Sequence, residues 1–153
     1  MNDIFDQFDT EIDVKQLAED VAAIQANNGK YEEPPCDVYE VKITYMGVGK
    51  SKSEKPMARV TFEIVAGDLK GRRIYMNQVI LEKFQVKGVN IFLDSLKTGI
   101  PVVFTTYREY NQTMLDIKGK CDDNNRTFQL NFSKDKKGYN TFTIEDVFDN
   151  IPF

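Results

Sequence analysis

Cationic and aromatic side chains alternate with apolar ones in two stretches of the chain, around Arg59 and around Tyr75. Because every second residue there is apolar, the polar residues between them would project from one face of a sheet. A single nucleic-acid strand is held by cations that contact its phosphates and by aromatic rings that stack on its bases. The pattern favours such a ligand, although an ordinary solvent-exposed face of a sheet can mix the same residue types.

We predict contacts with the strand from these two stretches, from the lysine-rich segment before Arg59 and from two later clusters of tyrosine with arginine or lysine. Tyr75, Tyr107 and Tyr139 would stack on bases, and the cations would contact phosphates. The full predicted set is Lys50, Lys52, Lys55, Arg59, Arg72, Arg73, Tyr75, Asn77, Tyr107, Lys136, Lys137 and Tyr139.

The sequence offers little for catalysis. It contains no histidine, the commonest general base and metal ligand, and Cys36 and Cys121 alone make no zinc site. Gly49-Lys50-Ser51 resembles the end of a phosphate-binding loop, but the glycine required five residues before Gly49 is replaced by Thr44. We therefore predict no enzymatic activity, no cofactor and no metal. A nuclease with metal-binding carboxylates is the least favoured alternative, because the predicted inward strand positions carry no acid.

The elements that position the candidate residues are mainly strands. Period-two alternation predicts strands over 39–45, 58–64 and 72–77. On the first strand, Tyr45 would face inward with Ile43. A polar, glycine-rich loop over 47–56 would connect the first two strands and remain flexible.

Helical spacing replaces alternation after the third strand. Phe84, Val89, Phe92 and Leu96 predict a helix, and the apolar run that begins at Val102 would return the chain to β structure. The spacing of apolar residues from 110 to 121 favours a further helix, with a strand as the alternative. A strand over 128–132, a turn over 135–138 and a last strand over 139–144 complete the order.

This order predicts a mainly β fold, an OB-fold-like small β-barrel with a helix between strands 3 and 4 and a short N-terminal helix. Other small β-barrels fit the same order. Three parts are expected: an acidic N-terminal segment over 1–33, the OB-like domain over 34–145 and a C-terminal tip over 146–153. The N-terminal helix is predicted from the spacing of Val14, Leu17, Val21 and Ile24.

Charge is distributed unevenly along the chain. Residues 1–33 carry nine acids and two lysines, whereas residues 34–139 carry twelve acids and eighteen lysines and arginines, although the whole chain has a net charge of -4. A basic middle part is compatible with a polyanionic ligand. The acidic N-terminus and the lack of a long apolar run predict neither a signal peptide nor a membrane span, so a cytoplasmic location is expected.

The end of the chain, Asp146-Val147-Phe148-Asp149-Asn150-Ile151-Pro152-Phe153, resembles the C-terminal tip of bacterial single-stranded DNA-binding proteins. That tip is a short acidic run that ends in Asp-Ile-Pro-Phe at the free carboxylate; here Asn150 replaces the last acid. The resemblance implies that the tip recruits other proteins. The residues predicted for this role are Asp146, Phe148, Asp149, Ile151, Pro152 and Phe153. A tip packed onto the domain is the alternative.

The body of the chain resembles a bacteriophage family of single-stranded DNA-binding proteins. The resemblance rests on Tyr39-Glu40-Val41-Lys42-Ile43, Ser51-Lys52, Lys55-Pro56-Met57 and Lys70-Gly71-Arg72 with Asn77. It implies binding of single-stranded DNA during phage replication or recombination in a bacterial host, with replication or recombination proteins as partners of the tip. A non-catalytic protein-interaction module is the alternative function. The sequence leaves the oligomeric state and the choice between DNA and RNA open.

Overall fold

The computed structural model describes residues 33–150. The predicted N-terminal helix and the last three residues of the tip lie outside them. The elements are β1 (Asp37–Lys50), β2 (Pro56–Ile64), β3 (Arg73–Val79), α1 (Lys83–Ser95), α2 (Tyr107–Asp123), β4 (Arg126–Lys134) and β5 (Asn140–Asp149). Neither helix is long and apolar enough to cross a membrane.

The strands form one antiparallel sheet in the order β3-β2-β1-β4-β5. The long central strand β1 pairs with β4 over Asp37–Val41 and with β2 from Val41 to Lys50. The prediction of a mainly β fold is confirmed. The closed barrel is not confirmed, because within residues 33–150 β3 and β5 remain unpaired edges of an open sheet.

The sheet is strongly curled around its core. Phe62 on β2 stacks on Phe142 on β5 with ring centroids 6.0 Å apart, although two strands lie between them and a flat sheet would separate them by about 14 Å. Phe92 of α1 meets Phe62 edge to face at 5.9 Å. The apolar residues that alternate along the strands therefore enclose a core on the concave side, and α1 packs against them.

A bulge in β1 changes which residues face the core. Ile43 pairs with Phe62 and Tyr45 pairs with Thr61, so Thr44 has no partner on β2. An extra residue reverses the alternation. Val41 and Ile43 face the core before the bulge, and Met46 and Val48 do so after it. The prediction that Tyr45 faces inward was therefore wrong: Tyr45 projects from the opposite face.

The connection between β1 and β2 is shorter than predicted. The predicted loop over 47–56 is strand as far as Lys50, and Val48 is fully buried. The remaining loop, Ser51–Lys55, is closed by a hydrogen bond from Ser51 N to Lys55 O (2.8 Å). The Ser51 hydroxyl also accepts from the amides of Ser53 and Lys55. These bonds make the loop a tight hairpin.

Two helices, rather than one, separate β3 from β4. Both α1 and α2 lie where helical spacing predicted them, and the alternative of a strand over 110–121 was wrong. The return to β structure at Val102 was also wrong, since residues 99–106 form no strand. Pro101 lacks the amide that a ladder needs, and Phe104 instead packs its ring on Tyr110 of α2 (5.2 Å).

Helix α2 covers the part of β1 that β4 leaves unpaired. The amide of Val48 donates to Asn111 Oδ1 (2.8 Å). The side chain of Asn111 therefore supplies the acceptor that a neighbouring strand would otherwise supply. Asn111 is itself buried. A buried backbone amide needs such a partner, and the contact fixes α2 against the second half of β1.

Candidate nucleic-acid interface

The face of β1, β2 and β3 that points away from the core carries four of the predicted contacts, Arg59, Arg73, Tyr75 and Asn77. We call it the outward face. Directly paired residues of an antiparallel sheet project from the same side, so the register defines three rows across these strands. The rows are Lys42–Glu63–Arg73, Tyr45–Thr61–Tyr75 and Gly47–Arg59–Asn77.

The middle row is aromatic. Thr61 lies between Tyr45 and Tyr75 and is only 1% exposed, whereas both tyrosines are partly exposed with buried hydroxyl oxygens. The hydroxyl of Tyr45 lies 3.0 Å from the position that a β-carbon on Gly47 would occupy. Gly47 therefore leaves room for the Tyr45 side chain. These two partly exposed rings, on β1 and β3 with Thr61 of β2 between them, form a surface on which bases can stack.

Tyr45 was not among the predicted contacts. The alternation before the bulge assigns it to the core, and only the register across β1 and β2 shows the reversal. One signal was present in the sequence: Met46 and Val48 are apolar and out of phase with Val41 and Ile43. Such a change of phase within one strand is typical of a bulge.

The first row is charged. Lys42 Nζ lies 3.3 Å from a carboxylate oxygen of Glu63, and Arg73 is paired with Glu63 from the other side. Two cations therefore flank one carboxylate, which leaves a net positive charge in the row. The Lys42 side chain is 50% exposed. Like Tyr45, Lys42 was not among the predicted contacts.

The third row leads into the β1–β2 hairpin. Arg59 Nη2 donates to the carbonyl of Lys50 (2.7 Å), so this guanidinium is held at the base of the hairpin. Asn77 beside it is exposed. Lys50, Lys52 and Lys55 are also exposed. The hairpin thus adds cationic side chains at the end of the outward face where β1 ends.

The second predicted cluster lies on the β4–β5 hairpin. Asp135 Oδ1 accepts from the amides of Lys137 (2.8 Å) and Tyr139 (3.0 Å), which confirms the predicted turn. Lys136 and Lys137 are exposed, and Tyr139 is 69% exposed. Because β4 runs antiparallel to the start of β1, this hairpin lies at the other end of β1. The three rows lie between the two hairpins along that strand.

Two predicted contacts, Tyr107 and Arg72, lie apart from both the rows and the hairpins. The Tyr107 hydroxyl donates to the carbonyl of Ile80 (2.9 Å), and its ring meets Phe104 edge to face at 5.1 Å. Tyr107 therefore takes part in packing α2 beside the end of β3. Arg72 immediately precedes β3, and its carbonyl accepts from the amide of Ile64 (2.9 Å).

The predicted C-terminal tip begins within β5. Asp146, Phe148 and Asp149 are strand residues, and Asp149 accepts two hydrogen bonds from Arg126, at 2.6 and 3.1 Å. Those bonds hold the pKa of the Asp149 carboxyl below its ordinary value. Asn150 follows, and its side-chain amide donates to the carbonyl of Asn125 (3.0 Å). The described end of the chain is thus fixed to β4.

The buried thiol of Cys121 lies on α2, outside the three rows. Burial raises the pKa of the Cys121 thiol to about 11, so this thiol remains protonated at neutral pH and is a poor nucleophile. Within residues 33–150, no group of three or more Cys, Asp and Glu side chains is arranged to hold a metal ion. The outward face can instead stack and bind charge, because the row Tyr45–Thr61–Tyr75 lies between two rows that carry cations.

Comparison with models of known protein families finds no match for this chain. Comparison with curated protein sequences finds none either.

Proposed function

We propose that the protein binds single-stranded DNA with little sequence preference. The observation that carries this proposal is the row Tyr45–Thr61–Tyr75, which lies between two rows that contain Lys42, Arg73 and Arg59. Rings of this kind stack on any base, and the cations beside them contact phosphates on either side. Duplex DNA keeps its bases stacked on one another, so the same rings have no base faces to contact there.

We further propose that the domain is of the OB type. In that fold, the face of strands 2 and 3 and the loops between strands 1 and 2 and between strands 4 and 5 bind oligonucleotides. The outward rows and the two lysine hairpins occupy the same elements here. The curl that brings Phe62 to Phe142 supports a partly open barrel.

The proposed setting is phage DNA replication or recombination in the cytoplasm of a bacterial host, without an enzymatic activity of the chain itself. Ile151, Pro152 and Phe153 would recruit replication or recombination proteins. They follow Asn150, whose side chain donates a hydrogen bond to the carbonyl of Asn125. Three residues span at most about 11 Å. A partner that binds them would therefore contact the protein beside the Arg126–Asp149 pair.

Fluorescence anisotropy of a labelled oligo-thymidine, titrated at several salt concentrations and with duplex competitor, tests the DNA proposal. We expect binding that falls with salt and resists the duplex. Lys52→Gln/Lys55→Gln should weaken binding and reduce the slope of log affinity against log salt by about 1.4, since each contact with a single-strand phosphate contributes about 0.7.

The matched control is Lys97→Gln/Lys120→Gln, which removes two exposed lysines outside the outward face and the two hairpins. Equal losses in the two double variants would indicate attraction by overall charge rather than a site. Absence of binding at low salt would contradict the proposal and favour a protein-interaction module.

A further inference from the structure

Helix α1 has a second apolar surface that its own domain does not cover. Val89, Phe92 and Leu93 are buried against the sheet, whereas Phe84 and Ile91 are 72% and 61% exposed. Phe84, Gly88 and Ile91 are spaced i, i+4 and i+7, so they share one side of the helix. We call this side the α1 stripe. Two large apolar side chains exposed on one side of a helix mark a candidate contact surface.

Two cations lie beside the Phe84 half of the α1 stripe, whereas the exposed Asp94 lies on the same flank beyond Ile91. Lys83 and Lys87 are exposed on the same helix, and they fall together on one flank of the stripe at 100° per residue. Space is open above Gly88, where a β-carbon would meet nothing within 4 Å. The surface therefore suits an element with an apolar stripe bordered by acids.

The N-terminal segment has that composition. Val14, Leu17, Val21 and Ile24 are spaced for one side of a helix, and Asp13 and Asp20 border that side. A single helix of about 12 residues is marginal in water unless its apolar side is covered. We propose that residues 14–24 form a helix that packs on the α1 stripe of the same chain.

The point where the segment joins the domain is compatible with this contact. Glu33 accepts a hydrogen bond from the Asn140 side chain (2.8 Å) at the start of β5. Two residues further on, Phe142 stacks on Phe62 (6.0 Å), which in turn contacts Phe92 of α1 (5.9 Å). The eight residues from 25 to 32 span up to about 28 Å when extended, which is several times either of these ring-to-ring distances.

The chain has no tryptophan, so Phe84→Trp introduces one reporter on the α1 stripe at an exposed position. In the full chain we expect blue-shifted emission and weak quenching by acrylamide. Adding Leu17→Glu/Val21→Glu, which charges the apolar side of the segment, should shift the emission to the red and raise the quenching constant several-fold. Gln16→Glu/Ala23→Glu adds the same charge on the other side and should leave both values unchanged.

Three outcomes would overturn the proposal. Strong quenching in the parent Phe84→Trp chain would show that the stripe is open to solvent. An equal response to the two pairs of substitutions would show that charge alone acts. Protection that disappears on dilution, together with a dimer in sedimentation, would assign the contact to the segment of a second copy. The readout requires no DNA, so it is independent of the proposed function.

Discussion

At the scale of single residues, Gly47 is a position on the outward face where a larger side chain would meet its neighbours. A β-carbon there would lie 3.0 Å from the Tyr45 hydroxyl and 3.2 Å from Asn111 Oδ1. Asn111 also accepts the buried amide of Val48 and cannot move without lengthening that bond. We therefore expect Gly47→Ala to reduce the free energy of unfolding by about 1 to 2 kcal/mol, measured by urea denaturation.

Gly119→Ala is the matched control. Gly119 lies inside α2, is exposed, and has nothing within 4 Å of an added β-carbon. Alanine should there raise the free energy of unfolding by up to about 1 kcal/mol, because glycine is unfavourable within a helix. A Gly47→Ala protein as stable as the parent would show that Tyr45 and Asn111 adjust freely.

Residue-level prediction succeeded where a strand is regular. Alternation on β2 and β3 correctly assigned Arg59, Arg73, Tyr75 and Asn77 to one face, because a regular strand has a period of two. It failed at Tyr45, because the unpaired Thr44 reverses the alternation along β1. Only the pairing of β1 with β2 identifies Thr44 as the bulged residue. Thr61 shares the outward face with those four residues, yet it is only 1% exposed, which alternation alone does not indicate.

At the scale of elements, the aromatic row should act as a unit in binding. Tyr75→Ala should weaken binding to oligo-thymidine by about 1 to 3 kcal/mol, the range found when one stacking ring is removed. Tyr45→Ala should have an effect of similar size, although the sequence pattern did not select it. Fluorescence anisotropy at fixed salt measures both.

Thr61→Val serves as the control within the same row, since Thr61 is 1% exposed and cannot contact DNA. It should leave affinity unchanged. If Tyr75→Ala and Tyr45→Ala bind as tightly as the parent, the rings do not stack on bases, and the hairpin lysines would have to account for any binding.

Arg126 connects three elements and makes stability depend on pH. Its Nη1 donates to the carbonyls of Leu96 and Lys97 at the end of α1, both at 2.9 Å, while Asp149 on β5 accepts from the same guanidinium. Since folding lowers the pKa of Asp149 from its ordinary 3.8, its ionised form is favoured in the folded state. The resulting stabilisation is fully present when the pH is above 3.8, the ordinary pKa. It is lost as the pH falls through the lower pKa that Asp149 has in the folded protein.

Asp149→Asn should therefore be less stable than the parent at neutral pH, and the difference should shrink in acid. Urea denaturation at a series of pH values measures this. Asp68→Asn, at an exposed turn position, is the control and should show no comparable difference. A deficit of Asp149→Asn that stays constant down to the acid transition would mean that the carboxylate charge is not what stabilises the contact.

Element-level prediction from sequence was good for periodic segments and poor where tertiary contacts decide. The helices and most strands follow from spacing, because each periodicity reflects one buried side. Val102 and Phe104 belong to an apolar run of the kind that a buried strand has. Here, however, Phe104 packs its ring against Tyr110 of α2. Likewise, β5 continues through residues predicted as a free tip, because Arg126, distant in sequence, binds Asp149.

At the scale of the whole molecule, the order of strands and the curl of the sheet were beyond what spacing can establish. Both depend on contacts such as Phe62–Phe142 that join residues far apart in sequence. Charge distribution, by contrast, is readable directly. The acids concentrated in residues 1–33 are covalently linked to a domain with a cationic outward face, which keeps their effective concentration near that face high.

Removal of residues 1–12 should consequently strengthen DNA binding at low salt. This stretch contains Asp3, Asp6, Asp9 and Glu11 and no lysine or arginine, and it lacks the residues proposed to pack on α1. Anisotropy titrations should show tighter binding for the shortened chain, and the difference should shrink as salt shortens the range of electrostatic interactions to about 10 Å at 0.1 M.

The full chain with these four acids changed to Asn or Gln separates charge from length. If it binds like the parent while the shortened chain binds more tightly, the segment obstructs the face by its bulk; if neither change affects affinity, the acidic end does not compete with DNA.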